Sequence, residues 1–184
     1  MAMESTLIPL GIKAPDFTLP DTISGKQINL YDYKGNIATV IMMICNHCPY
    51  VKHIIEKVTE TAKDYQHKGI SFLGISSNDV INYPEDSPEN MKELGNNLGF
   101  SFPYLFDERQ DVARLYEAAC TPDFYVFDVD LKLVYHGQFD DSRPKNDIPV
   151  SGKELKNALD NLINGKQIDT NQKQSIGCSI KWKQ

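Results

Sequence analysis

Two cysteines three residues apart, in the run Ile44-Cys45-Asn46-His47-Cys48-Pro49, are the first candidates for chemistry in this chain. A thiol reacts as its thiolate, and a free thiol is mostly protonated at neutral pH. The N-terminus of a helix favours the thiolate, because its unpaired N–H groups and macrodipole favour negative charge. A second thiol within one turn can close a disulfide once the first sulfur has been attacked. The chemistry therefore asks for strand, Cys-x-x-Cys and helix, in that order. On spacing alone, Cys45 is the exposed nucleophile and Cys48 the resolver. His47 has two readings. As a positive or hydrogen-bonding group it lowers the Cys45 pKa and makes the couple more oxidising. Otherwise it is a solvent-exposed loop histidine. Pro49 suits a first helical turn, where few backbone donors have partners.

Other uses of Cys-x-x-Cys fit less well. Structural zinc takes four ligands, commonly from two such pairs. Here the remaining donors are the scattered Cys120, Cys178, His53 and His136. A c-type haem needs a histidine directly after the second cysteine, and Pro49 stands there. No metal and no cofactor are expected.

The surrounding pattern supplies the elements that the dithiol needs. Residues 37–44 (IATVIMMI) form a continuous apolar run after the turn signal Lys34-Gly35-Asn36, as a strand covered on both faces does. After Pro49 the period changes. Val51, Ile54, Ile55, Val58, Ala62 and Tyr65 recur at helical spacing, and Gly69 closes the segment. Residues 70–76 (ISFLGIS) read as a second strand, parallel to the first through a right-handed crossover. Two short strands joined through Asp21 to Gly25 precede this unit. After it come a loop over 77–88, a helix over 89–97, a strand over 104–106 and a helix over 111–119. An antiparallel hairpin follows over 124–128 and 131–137, and then a helix over 153–163. Together these predict an α/β fold with a central mixed sheet flanked by helices and an N-terminal β-hairpin extension. The domain is expected over residues 1–165, with a C-terminal tail over 166–184.

Composition narrows the setting. The chain has 184 residues, enough for one domain with a sizeable core. A net charge of −6 argues against nucleic acid or an anionic membrane as partner. No segment approaches the roughly 20 apolar residues that span a bilayer. The first residues, Met1-Ala2-Met3-Glu4, lack the basic start and apolar stretch of a signal peptide, so a cytoplasmic location is expected.

Four stretches carry a resemblance. Residues 11–19 (GIKAPDFTL), 45–52 (CNHCPYVK), 120–128 (CTPDFYVFD) and 177–183 (GCSIKWK) resemble the thioredoxin-like redoxins of the AhpC/TSA (alkyl hydroperoxide reductase/thiol-specific antioxidant) family. Within it they are similar to a peroxiredoxin-like subgroup with a Cys-x-x-Cys motif, over about residues 8 to 183. The resemblance implies a thioredoxin-like fold and a cis Thr121–Pro122 bond facing the dithiol. The Thr121 backbone would then be free to pair with a substrate strand.

The chain departs from both chemistries of that family. Against the peroxidase motif, Cys48 matches the attacking cysteine, but Ile41 replaces a proline and Cys45 replaces a peroxide-binding threonine. No arginine stands near Pro122 in the sequence. Against the thioredoxin-type reductases, Ile44 replaces a tryptophan and Thr39 an acid, which leaves the proton acceptor unassigned.

The expected activity is thiol–disulfide exchange by Cys45 and Cys48, with Asn46, His47, Pro49, Thr121 and Pro122 as active-site neighbours. The alternatives are an antioxidant thiol peroxidase that attacks through Cys48, and a non-catalytic zinc or protein-interaction module. The implied partners are a protein or small-molecule thiol or disulfide, or a hydroperoxide, and an external reductant such as a thioredoxin. Cys120 and Cys178 are candidate auxiliary thiols, each with a bland alternative. Cys120 is otherwise a buried core cysteine, and Cys178 an idle thiol or the anchor of a homodimer.

Overall fold

A computed structural model describes residues 2–184. In chain order, β1 (Ala2–Glu4) is followed by a hairpin of β2 (Thr18–Pro20) and β3 (Gln27–Asn29), and by a short helix α1 (Leu30–Tyr33). The central unit is β4 (Ala38–Met43), α2 (Pro49–Gln66) and β5 (Ile70–Ser76). Then come a 3-10 turn at Pro84–Asp86, α3 (Pro88–Leu98), β6 (Tyr104–Phe106), α4 (Asp111–Leu115) and β7 (Cys120–Thr121). The chain ends with β8 (Asp123–Asp128), β9 (Leu133–Gly137), α5 (Lys153–Ile163) and β10 (Ile176–Ser179).

The main sheet has the order β6-β5-β4-β8-β9. Strand β4 runs parallel to β5 and antiparallel to β8, so the sheet is mixed as expected. All six residues of β4 are buried. Its alternating side chains feed two cores. Ala38, Val40 and Met42 pack on one face with α2 and α5, through Val51, Ile54, Val58, Leu155 and Leu159. Ile41 and Met43 pack on the other face with Val112, Ala113 and Tyr125. This double burial is why the strand reads as an unbroken apolar run. It also leaves the end of β4 at the sheet's centre, pointing the chain into the dithiol.

Helix α3 follows the expected end signals. The Ser87 side chain accepts from Asn90 N, and Gly99 closes the helix in the left-handed region at φ +64°. Helix α4 corrects an expectation, because it stops at Leu115 rather than reaching Ala119. Glu117 takes a positive φ of +49°, and the chain turns there to deliver Cys120 to β7.

A second, three-stranded sheet has the order β1-β10-β7. Two of its strands lie at opposite ends of the chain, and the third is two residues long. Residues 166–184 thus contribute β10 to this sheet. Among the described residues no helix is long and apolar enough to cross a membrane.

Candidate active site

Strand β4 extends by one hydrogen bond, from Ile44 N to Ile75 O at 3.0 Å, before the chain turns. The turn is Cys45 to Cys48. Cys48 is the N-cap of α2, Pro49 is its first helical residue, and the Cys48 carbonyl accepts from Lys52 N at 3.0 Å. The helix begins one residue after Cys48, so Cys48, and not the Cys45 that spacing makes the exposed nucleophile, holds its N-terminal place. No disulfide links any of the four cysteines. Cys45 is 1% exposed and Cys48 is 0% exposed.

Strand β7 faces this turn. The Thr121–Pro122 bond is cis. Thr121 touches both sulfurs: its Oγ1 lies 3.3 Å from Cys45 Sγ, and its carbonyl accepts from Cys48 Sγ at 3.2 Å. Strand β10 lies antiparallel on β7 with Cys178 opposite Thr121. Strand β10 also packs against α2, whose N-cap is Cys48. Cys120 is fully buried, with its sulfur 4.0 Å from Ser175 O.

These neighbours divide the acidities of the four thiols. The Cys45 thiol donates to Cys48 and pulls it down to about 5, against the opposing effect of burial. The Cys178 side chain and the backbone N–H groups of Val51 and Cys178 add to the lowering. The Thr121 carbonyl suits the protonated form of Cys48 and is given up when Cys48 ionises. Cys45 is held well above the usual thiol range, because its proton is committed to Cys48 and because it is buried beside Asp86. Burial first, and the bond to Cys48 second, push Cys178 up to about 12. Burial also pushes the Cys120 thiol up. Charge thus collects on one sulfur, Cys48.

Sequence reasoning missed Asp86, which is 0% exposed. Its carboxylate accepts from Asn46 N at 2.7 Å, His47 N at 3.0 Å and Asn78 Nδ2 at 2.7 Å. It also meets His47 Nδ1 at 2.5 Å. His47 stacks on Tyr83, with ring centroids 5.2 Å apart. It is therefore not a free loop histidine, and the Asp86 carboxylate it meets raises the Cys45 thiol. Asn46 is held by Tyr104 OH at 3.0 Å and Glu85 O at 3.1 Å. A lone aspartate in a Pro-Glu-Asp-Ser turn carries no motif, so only its distance in sequence from the dithiol hid it.

Among the described residues, Cys45, His47 and Asp86 form the one group of three metal-ligating side chains, with their ligand atoms within 4.8 Å of one another. That is one donor short of a structural zinc set. His136, among the donors weighed from sequence, is bonded instead to buried Asp123 at 2.9 Å and stacked on Tyr125 at 4.3 Å. Arg143 shares a cleft with Pro122, Tyr50 and Ile176, although it lies 21 residues further along the chain. Its guanidinium is engaged by the carbonyls of Asp140 and Ser142 at 2.7 and 2.6 Å. Thr39 accepts from Gly35 N at 3.0 Å and supplies no base.

Comparison with known proteins gives the family and the fold. The AhpC/TSA family model matches residues 10–136. Thiol-disulfide oxidoreductase ResA of Geobacillus thermodenitrificans is 24% identical over 71% of this chain and 70% of its own length. A Mycobacterium tuberculosis protein with a provisional peroxiredoxin name is 28% identical over 62% of this chain and 68% of its own. The crystal structure of an uncharacterized conserved protein from Geobacillus kaustophilus superposes with a TM-score of 0.98 at 57% identity, covering 100% of this chain and 97% of that one. The thioredoxin domain of a Bacteroides vulgatus thiol-disulfide oxidoreductase shares the fold, with a TM-score of 0.60 at 19% identity over 72% of this chain and 90% of that one.

Proposed function

The chain belongs to the AhpC/TSA family of thioredoxin-like redoxins, and within that family we propose that it is a thiol–disulfide oxidoreductase working through Cys45 and Cys48. The observation that carries this reading is the position of Thr121, whose hydroxyl and carbonyl contact the two sulfurs at 3.3 and 3.2 Å. Both thiols are thus held on one residue, one turn apart, at the start of a long helix.

In this reading Cys48 attacks first, which reverses the order taken from spacing alone. Its thiolate attacks one sulfur of a substrate disulfide, forms a mixed disulfide and expels the other sulfur as a thiolate. The Cys45 thiol then gives up its proton and attacks the Cys48 sulfur. This closes Cys45–Cys48 and releases the second substrate thiol. Its proton acceptor is the His47–Asp86 pair, whose ligand atoms lie within 4.8 Å of Cys45 Sγ. An external dithiol reductant, of the thioredoxin class, restores the reduced pair. A stabilised Cys48 thiolate makes the couple more oxidising.

A second reading, thiol peroxidase, draws on the same sulfur. Cys48 sits in the attacking position at the helix N-cap with its acidity raised. Against it, the place of a peroxide-binding hydroxyl is taken by a thiol, Cys45.

One experiment separates the two. Turnover of a small disulfide is measured for the wild type, Cys48→Ser and Cys45→Ser/Cys178→Ser, beside reaction with hydrogen peroxide. Exchange through the pair requires Cys48 as attacker and Cys45 as its final partner, so Cys48→Ser loses disulfide turnover, and full activity in a Cys45→Ser/Cys178→Ser variant would sink the reading. Rapid sulfenic acid formation at Cys48 in a Cys45→Ser/Cys178→Ser variant would favour the peroxidase instead.

A further inference from the structure

We propose that Cys178 is a third redox thiol of this site, closing a disulfide with Cys48, and that β10 presents it there as a substrate strand would. The inference rests on the exchange reading above and extends it to the end of the chain.

The argument begins with the edge of β7. Thr121 touches both sulfurs, so a strand paired with Thr121 lays its own side chains against the dithiol. That edge is taken by β10, with Cys178 opposite Thr121 and Ser179 opposite Cys120. Backbone pairing along a sheet edge is how extended peptides are recognised. Here the recognised peptide is the chain's own, and the residue it sets against the reactive pair is a cysteine.

The approach depends on Gly177. A Cβ at this position would lie 1.9 Å from Thr121 O and 2.5 Å from Thr121 C, both backbone atoms. Only glycine lets β10 come this close. The strand is also tied along its length. Its outer edge pairs with β1, in a register that places Cys178 opposite Ala2. Beyond it Ile180 N donates to Ala119 O at 3.0 Å, and Asp79 N donates to Lys181 O at 2.8 Å. Before it Ser175 N donates to Ser5 Oγ at 3.1 Å. An idle thiol on a loose tail would need none of these ties.

Exposure gives Cys178 a distinct role. Cys45 and Cys48 are buried, whereas Cys178 is partly open to solvent. Its strand packs against α2, whose N-cap is Cys48. Cys178 therefore stands between water and the buried pair. Burial and the neighbouring Cys48 push its thiol up to about 12, so it stays protonated while Cys48 is a thiolate. The part of that rise due to Cys48 lapses once Cys48 is held in a mixed disulfide, and an expelled thiolate can then take the proton.

The steps balance without another reagent. The Cys48 thiolate attacks a small disulfide, forming a mixed disulfide and releasing one thiolate. That thiolate takes the Cys178 proton. The Cys178 sulfur attacks Cys48, the Cys48–Cys178 bond forms, and the second small thiolate leaves and is protonated by water. The small disulfide has gained two electrons, and the two cysteines have lost them. Cys45 can then attack Cys48 in turn, which frees Cys178 and leaves Cys45–Cys48.

The test uses the full chain and oxidised glutathione. The reduced wild type, Cys45→Ser and Cys45→Ser/Cys178→Ser are pulsed, quenched with acid, alkylated and mapped by peptide mass. In Cys45→Ser most of the oxidised chain is expected to hold Cys48–Cys178, and the double variant to stop at glutathione on Cys48. In the wild type, Cys48–Cys178 should appear early and give way to Cys45–Cys48. Should Cys45→Ser keep glutathione on Cys48 with Cys178 free, and the wild type never show the early bond, the inference is overturned while the exchange reading stands. A Cys48 that takes no glutathione in any of the three overturns both.

Discussion

Cys48 and Cys45 differ by three positions and by the direction in which their surroundings move them. Cys45 foremost, with Cys178 and the backbone at the start of α2, favours the Cys48 thiolate and brings it down to about 5. Cys45 gives its proton to that arrangement and is raised. Alkylation by iodoacetamide reads this division directly. The rate at Cys48 should rise with pH to a midpoint near 5 and stay level through neutrality, while Cys45 and Cys178 remain unlabelled until far more alkaline solution. A Cys48 midpoint near that of an ordinary thiol, about 8.5, would contradict the assignment. The sign carries over to stability. Cys48 is depressed in the folded state, so the unfolded chain binds more protons between the two values, and stability rises with pH there. That contribution is complete above the unfolded value and is lost as pH falls through about 5.

At the scale of elements, the site is a corner of β4 and α2 closed by β7 and β10. The first pair was legible in the sequence. An apolar run followed by a 3.6-residue stripe can hardly be read otherwise, and the cysteines lie where the period changes. The closing pair was not. Strand β7 has two residues and β1 has three, too few to show an alternation, and β10 is only partly buried. Their pairing is set by contacts between the two ends of the chain. Asp86 was hidden for the same reason, since it caps a loop some 40 residues before it through backbone N–H groups that have no residue-type signature. The resemblance pointed to Thr121 as the facing residue, but the occupant of its edge had to come from the structure. Gly177→Ala tests the closure. The added methyl group meets backbone at 1.9 Å, so β10 must lift. Overpacking of this kind costs about 1–3 kcal/mol, read as a lower urea midpoint at unchanged slope. Full wild-type stability in this variant would mean that β10 does not lie against Thr121.

Across the whole molecule, two sheets share one reactive corner. The five-stranded sheet is buried on both faces. The three-stranded sheet joins both chain ends and covers the sulfurs. The fold buries Cys45 and Cys48 to 0–1% exposure, so access to either sulfur depends on the covering strands. The most direct measurement is a single-turnover titration. The fully reduced chain receives one equivalent of a small disulfide, is quenched after the reaction has run to completion, and has its remaining thiols counted and its linked peptides mapped. The account predicts that two thiols are lost and that the peptides of Cys45 and Cys48 are joined to each other. Free thiols at both positions after the disulfide has been consumed would contradict it.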